Sequence, residues 1–600
     1  MIVLPGHPCD TPERPEAEQL AYFEQVFART LQAIERAGPI GHHYALAGAV
    51  IRIVFAGPVL ERLFTAAIAH LRIAAWDGRA DATFHVWDSD STGVEMAPPP
   101  CARCCFTARG DIWGMGSEQV RIAFHWSEYA VALGRIATGD FVHWVQGAGS
   151  VPYWARASPL RTLFHWLMLS RGSQLLHAAA VATDAGAVLL TGAGGIGKST
   201  TALACLAAGL RYIGDDYVVV TLDPSPRAIS LYATAKLNAD QLARFPQFDR
   251  LVTNRAALAT EKAVVLLYPD QARHVCVAAP LRALVTPVFA GSPATGFAPI
   301  APGRLHAAAA FTTISQLPHA GRQTDDFIRR LIAAVPGYAI RLGTDLAALP
   351  RAIAHVIRGP HPLVEPRPAA KLPPVSVIIP VHNRAGFLAC AVDSILRQHY
   401  PSIEIMVADD GSTDDLPAAI AALPVPVRHL RQRDRSGPAA ARNRGIRAAA
   451  GGFLAFLDVD DLLAPDMLTT LMQEMQGAGA ASPDVVGGHA QLFRRDADGA
   501  IRFIGSPEES YRTHIGAALY RREVFSTVGP FDEDLMFSED TDWYNRAAER
   551  GVAVVRLAFV ALWVQRHGGN MTRARTLDMH AMRFLKKQLD RRLARSGQRS

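Results

Sequence analysis

Between residues 15 and 36 the apolar side chains Leu20, Phe23, Phe27, Leu31 and Ile34 recur at three- and four-residue steps. That spacing predicts one face of an amphipathic helix. Alternating or wholly apolar runs follow at 51–55, 83–87, 120–126 and 141–145, with a helical pattern at 59–74 among them, so residues 1–157 read as an α+β accessory region. From about residue 158 the rhythm becomes helix (160–170), strand (175–181), turn, apolar strand (187–190), a glycine-rich loop and a helical pattern (200–208) that Gly209 ends. The pair Asp215 and Asp216 precedes another buried strand, and 327–358 reads as two helices around Val335 to Tyr338.

Proline is dense over 359–374, which favours an extended spacer and a domain boundary. Beyond it the pattern restarts as strand (375–379), helix (387–398) and strand (403–407), which ends on Asp409 and Asp410. A second round, 427–430, 438–449 and 453–457, ends on Asp458, Asp460 and Asp461, and 541–550 is helical. Polar loops at the carboxyl ends of parallel strands are where open α/β sheets bind ligands. The expected architecture is α/β and multidomain: an accessory domain at 1–157, a loop-bearing domain at 158–358, a linker at 359–374 and a second α/β domain at 375–600.

Composition narrows the function classes. Of 600 residues half are apolar and 19% charged, with a net charge of +6. No arginine stripe is interleaved with aromatics, so nucleic acid is not an expected partner. The start lacks the pattern of a signal peptide, and no apolar run reaches the ~18–20 residues that span a bilayer, so a cytoplasmic protein is expected. The seven cysteines fit a reducing compartment, with Cys101, Cys104 and Cys105 read as a thiol-bearing loop. Trp76, Trp87, Trp113, Trp126, Trp144, Trp154 and Trp166 are expected in a core. The basic stretch 582–600 reads as a solvated helix fraying into a tail; its alternative is peripheral contact with the inner face of an anionic membrane.

The glycine-rich loop carries the first candidate chemistry. Gly192, Gly194, Gly195, Gly197, Lys198, Ser199 and Thr200 fit a phosphate-binding loop between strand and helix. Backbone N–H groups and the helix N-terminus would cradle a phosphate, Lys198 would reach the β/γ oxygens, and Ser199 would hold Mg2+. Lys198 is one of few lysines, with Lys236, Lys262, Lys371, Lys586 and Lys587, in a chain whose positive charge is otherwise arginine. Asp215 and Asp216 are placed for metal binding and for accepting a hydroxyl proton. With His177 ahead of the loop and Gly214, Asp215 and Asp216 after the helix, the segment from about 158 to 358 resembles the catalytic domain of HPr kinase/phosphorylase and its relatives. The resemblance implies ATP and Mg2+, base and metal duty for Asp215 and Asp216, Ser199 with Asp216 at the metal, and support from His177. The downstream Arg–Gly–Leu–Gly signature is missing, and Tyr232 to Lys236 stands in that region. A peptide or small molecule is thus the expected acceptor in place of HPr.

The acidic strand ends carry the second. Three carboxylates within Asp458–Asp461 repel unless a cation neutralises them, and a divalent metal holding a diphosphate would do so. These motifs, from 375 to about 567, resemble family 2 glycosyltransferases, which have the nucleotide-sugar-binding A fold and invert the anomeric carbon. The resemblance implies Pro380, Asp410, Arg442 and Asn443 about the nucleotide sugar (UDP-, GDP- or dTDP-linked), and Asp458, Asp460 and Asp461 with Mn2+ or Mg2+ at the diphosphate. It also implies His567 closing on the diphosphate and Asp540 as the base that deprotonates an acceptor hydroxyl. The expectation is therefore a bifunctional transferase, with a peptide, lipid-linked or small-molecule acceptor. Its alternative is a glycosyltransferase joined to a non-catalytic ATP-binding regulatory module.

Overall fold

The computed structural model describes residues 14–567, except 75, 102–104, 108, 118, 290–294, 344, 360–371, 399, 478–482, 496–500, 511–513 and 536–537. Most of the proline-dense segment, Cys104 and the basic stretch 582–600 thus lie outside the described residues. The chain divides into two compact units between Val364 and Glu365, inside the expected linker.

In the first unit, helix Glu16–Ala37 buries Phe23, Val26 and Ala33. It stands beside a seven-stranded sheet ordered Arg72–Ile73, Pro39–Leu46, Ala49–Ala56, Ala82–Asp88, Asp140–Val145, Ala130–Arg135, Val120–His125. The helical pattern at 59–74 yields a shorter helix, Pro58–Ile68, because Ala69–Leu71 tightens into a 3-10 turn that delivers edge strand Arg72–Ile73. Trp87, Trp144 and Trp166 are buried as expected, whereas Trp76 and Trp126 are 41% and 39% exposed. Trp126 falls just past strand Val120–His125, where the chain turns outward.

A second sheet follows, ordered Arg211–Gly214, Ala179–Thr183, Gly186–Leu190, Ala278–Phe289, Arg227–Ser230, Val218–Thr221, Gln174–Leu176, with Gly337–Leu342 parallel to Ala278–Phe289. The strand expected at 175–181 is broken at His177 and Ala178, which frees His177 from ladder geometry. The two helices expected over 327–358 are Arg322–Ala334 and Ala348–Arg358 with a strand between them, because Gly337–Leu342 alternates its way into the sheet. One hydrophobic core joins Phe84, Phe164 and Trp166 to Tyr217, Tyr232 and Leu317, so the accessory region and the loop region share a single interior across residue 157.

The second unit holds a mixed sheet ordered Arg428–Gln432, Ile403–Asp410, Val375–Val381, Phe453–Phe456, Ala518–Arg521, Val485–Arg495, Val554–Gln565, Leu462–Leu463. Its first four strands are parallel, and Ala518–Arg521 is antiparallel to both neighbours. Val485–Arg495 and Val554–Gln565 run parallel with register shifts on either side of His489. A Cβ added at Gly488 would lie 2.5 Å from the Phe559 carbonyl oxygen. Among the described residues no helix is long and apolar enough to cross a membrane.

Candidate active sites

In the first unit, Gly192, Gly195 and Gly197 have φ of 133°, 83° and 98°, a region that side chains with a Cβ enter only with strain. Helix Lys198–Ala207 begins at once, placing Lys198, Ser199 and Thr200 on its first turn. Lys198 Nζ donates to the carbonyls of Gly192 at 2.7 Å and Ala193 at 3.1 Å. Burial lowers its pKa, and Asp215 and Asp216 oppose that shift.

Asp216 takes φ of 71°, so the two neighbouring carboxylates diverge. Asp215 accepts from Ser199 Oγ at 2.9 Å and from the Lys236 backbone N–H at 3.4 Å. Asp216 accepts from Lys236 Nζ at 2.7 Å and Ser158 Oγ at 2.9 Å, with His177 Nε2 at 3.5 Å. Ser199 thus hydrogen-bonds Asp215 and not Asp216, its expected partner at a metal, because Asp216 takes a left-handed conformation and its side chain goes to Lys236 and Ser158. Burial and the Asp216 charge raise the Asp215 pKa. Burial alone would raise Asp216 too, but Lys236 and His177 hold it well below the usual carboxylate range. His177 itself is pushed down by burial, and its Nδ1 is buried without a partner. Lys236 belongs to no site motif; the sequence marks it only as a rare lysine at the end of the stretch that stands where the Arg–Gly–Leu–Gly signature is missing.

In the second unit, Asp410 ends strand Ile403–Asp410 and is 3% exposed. Its carboxylate accepts from Gln432 Nε2, from the Ser436 N–H at 2.7 Å and from the Gly437 N–H at 2.9 Å. It therefore fixes the turn that starts helix Pro438–Ala448. Pro380 lies on the neighbouring strand opposite Ala408. Asn383, beside it, accepts from the N–H groups of Thr413 at 2.7 Å and Asp414 at 3.3 Å, tying two loops together.

Arg442 and Asn443 are both buried on helix Pro438–Ala448. The Arg442 guanidinium donates to Asp458 Oδ1 at 2.6 Å and to Glu539 Oε1, bridging two segments. Asn443 bonds both backbone groups of Phe531, at 2.9 and 2.8 Å, and donates to Glu533 at 2.9 Å. Asn443 thus clamps the 531–533 loop. It is 1% exposed and has no open face toward a donor pocket.

Asp458, Asp461 and His514 bring ligand atoms within 4.8 Å of one another. Asp460 points elsewhere, to His567 Nε2 at 3.0 Å, and His567 stacks on Phe387 with ring centroids 5.0 Å apart. The acidic set expected as Asp458, Asp460 and Asp461 is thus divided, since consecutive positions on a tight turn face different ways. Burial, with Asp460 and Asp458 alongside, pushes Asp461 well above the ordinary carboxylate range. For Asp458 burial is outweighed by Arg442, and its pKa falls. Burial lowers His514. Two carboxylates and an imidazole suit Mn2+ or Mg2+, and a bound cation would offset the repulsion that raises Asp461. His514 belongs to no sequence motif, and only folding brings it to Asp458.

Glu539 and Asp540 open helix Glu539–Glu549 behind Ser538, whose φ is 61°. Asp540 Oδ1 accepts from the Thr541 N–H at 2.6 Å and its hydroxyl at 3.3 Å, and no hydrogen bond engages Oδ2 among the described residues. Burial and Asp540 raise Glu539, against the pull of Arg442.

Residues 376–529 match the family model described as Glycosyl transferase family 2. The second unit carries a family 2 glycosyltransferase domain. The chain is similar to the uncharacterized glycosyltransferase EpsJ of Bacillus subtilis, 30% identical over 33% of this chain and 62% of that protein. It is 38% identical to the GalNAc(5)-diNAcBac-PP-undecaprenol beta-1,3-glucosyltransferase of Campylobacter jejuni, over 30% of this chain and 61% of that protein. A solved structure, S. aureus TarS 1-349 in complex with UDP-GlcNAc, is similar with a TM-score of 0.29 and 20% identity, covering 34% of this chain and 61% of that one. The chain spans less than two thirds of the length of these relatives.

Proposed function

We propose that the second unit transfers a sugar from a nucleotide-sugar donor to an acceptor hydroxyl with inversion at the anomeric carbon. The supporting observation is Asp540 close enough for its charge to act on His514 of the Asp458, Asp461 and His514 cluster and on Arg442, with one carboxylate oxygen held by Thr541 and the other unengaged among the described residues. Asp540 takes the acceptor proton, the acceptor oxygen bonds to the sugar carbon, and the bond from that carbon to the nucleoside diphosphate breaks. Asp458, Asp461 and His514 would hold a divalent cation, Mn2+ or Mg2+, which would supply charge neutralisation for the departing diphosphate. Arg442 fixes Asp458 and Glu539, and Asp410 shapes the loop over the donor base. The Campylobacter relative is named for a lipid-linked glycan, so a lipid-linked acceptor is the first class to offer. The purified chain is given UDP-, GDP- and dTDP-sugars with Mn2+ and scored for sugar transfer or donor hydrolysis. Asp540→Asn turning over like the parent ends this reading.

A second reading concerns the first unit and is supported by the glycine-rich loop with Ser199 on Asp215 and Lys236 on Asp216. We infer that it binds ATP with Mg2+ and passes phosphate to a peptide or small-molecule hydroxyl. Ser199 and Asp215 serve the metal and Asp216 accepts the proton. If Lys198→Ala abolishes ATP binding and no phosphorylated product ever forms with the parent chain, the unit is a nucleotide-binding regulator instead.

A further inference from the structure

Away from the phosphate loop, the first unit has a groove of about 740 Å3. Helix Ala348–Arg358 contributes Arg351, His355 and Arg358 to its lining, together with Arg244, Leu210 and Leu346. No carboxylate lines this groove, and Arg244, Arg351 and Arg358 have no ion-pair or hydrogen-bond partner for their guanidinium groups among the described residues. Arg161 and Arg109 of the same unit are paired, with Glu128 and Asp111, whereas Arg244, Arg351 and Arg358 gather around one concavity that holds no carboxylate. Unpaired guanidinium groups around a concave site are a ready partner for anions.

From this groove we propose that the first unit docks an acidic peptide segment carrying interspersed apolar side chains. The spacing of the charges decides for a chain over a single phosphate. Arg351 and Arg358 lie seven residues apart on one helix, about 10 Å along its axis. They form a row, whereas one phosphate needs guanidinium groups that converge. An extended peptide rises about 3.3 Å per residue, so carboxylates on one strand face recur about every 7 Å, and those two and four residues apart bracket that row. The apolar lining at Ala207, Ala208, Leu210 and Leu346 then receives side chains from the opposite face of the strand. A membrane surface fits worse, because charges set inside a concavity do not reach a plane of headgroups together.

The groove is also placed to serve the loop. Ala204, Ala207 and Ala208 of its wall stand at the far end of the helix that begins with Lys198. That is about 14 Å from the loop, too far for the groove to hold the reacting hydroxyl but within reach of about five extended residues. The docking proposal does not depend on phosphate transfer.

The test uses the full chain and a fluorescein-labelled peptide of roughly twelve residues alternating glutamate and leucine, followed by fluorescence anisotropy. A lysine–leucine peptide is the charge control, and phosphatidylglycerol and phosphatidylcholine vesicles are the membrane arm. Arg244→Glu/Arg351→Glu/Arg358→Glu is compared with Arg29→Glu/Arg62→Glu/Arg79→Glu, which changes net charge equally at other exposed positions. Docking predicts that the groove triple variant weakens glutamate–leucine binding about tenfold or more, and that the control triple variant stays within about twofold of the parent. Equal losses in both, no binding by the parent, or binding to phosphatidylglycerol alone overturns it. Circular dichroism melting verifies that each variant is folded, and single reversals at Arg351 and Arg358 replace the triple variant should it fail to fold.

Discussion

In the proposed sugar transfer Asp540 is the base. Thr541 engages one of its carboxylate oxygens, and the other has no hydrogen bond among the described residues. Asp540→Asn is expected to lower sugar transfer by about 10²–10⁴-fold while leaving donor affinity and melting temperature near those of the parent. Steady-state turnover beside nucleotide titration measures both. His514 makes a different demand. If it shares the cation with Asp458 and Asp461, His514→Ala weakens Mn2+ binding by about 10–100-fold, read by electron paramagnetic resonance of free Mn2+ without any turnover. Lys236 is the counterpart in the first unit. Lys236→Met leaves part-buried Asp216 without its ammonium and is expected to cost about 1.5–3 kcal/mol in urea unfolding, and on the proposed reading to lower ATP-dependent phosphate transfer as well. Lysine scarcity alone did not reveal this role, because Lys262 is equally rare and pairs with neither carboxylate. What identifies Lys236 is its place on strand Thr234–Leu237, with its backbone N–H on Asp215 and its ammonium on Asp216.

At the scale of elements, buried polar bridges hold neighbouring pieces in place. Helix Arg161–Ser170 is tied by Arg161 to Glu128, which lies between strands Val120–His125 and Ala130–Arg135, at 2.6 Å. Burial alone would raise the Glu128 pKa, but Arg161, His125 and His143 bring it from 4.5 down to about 2. A carboxyl whose folded pKa is depressed stabilises above its unfolded pKa, so this contribution is complete above about 4.5 and is lost as pH falls toward about 2. Urea midpoints taken across that range fall more steeply for the parent than for Glu128→Gln. Asn443→Ala strips both backbone groups of Phe531 of their partner and is expected to cost about 2–4 kcal/mol, with loss of donor binding as the 531–533 loop loosens. Periodicity made most of these elements legible: helix Glu16–Ala37, the strand before the glycine loop, and the two strand–helix–strand rounds after the linker. It failed where local pattern competes with long-range pairing. The residues after Tyr338 read as the start of a second helix, yet Ala278–Phe289 offers Gly337–Leu342 a parallel partner. The same limit governed the site, since acidic residues stood out in the sequence while the division of Asp460 from Asp458 and Asp461 arises from a turn's geometry.

For the whole molecule, the division between Val364 and Glu365 predicts two separable thermal transitions in calorimetry of the full chain. ATP with Mg2+ should shift only one, and a nucleoside diphosphate with Mn2+ only the other, each by about 2.7 kcal/mol at a hundredfold excess over its Kd. A single transition moved by both ligands would argue against independent units. Within the first unit no such separation is expected, because Phe164 and Trp166 share their core with Phe84 on one side and Tyr232 on the other.

The register shift at His489 has a reach beyond its own strand. Gly488 admits the Phe559 carbonyl where a methyl group would not fit, and the rest of Val554–Gln565 takes its alignment from that point. The last residue of that strand donates its N–H to Asp461 at 3.0 Å, and His567 meets Asp460 just beyond. A methyl group at Gly488 would therefore misregister the strand and retune cation affinity from a distance, a defect that a search confined to the acidic turn would never trace to its origin.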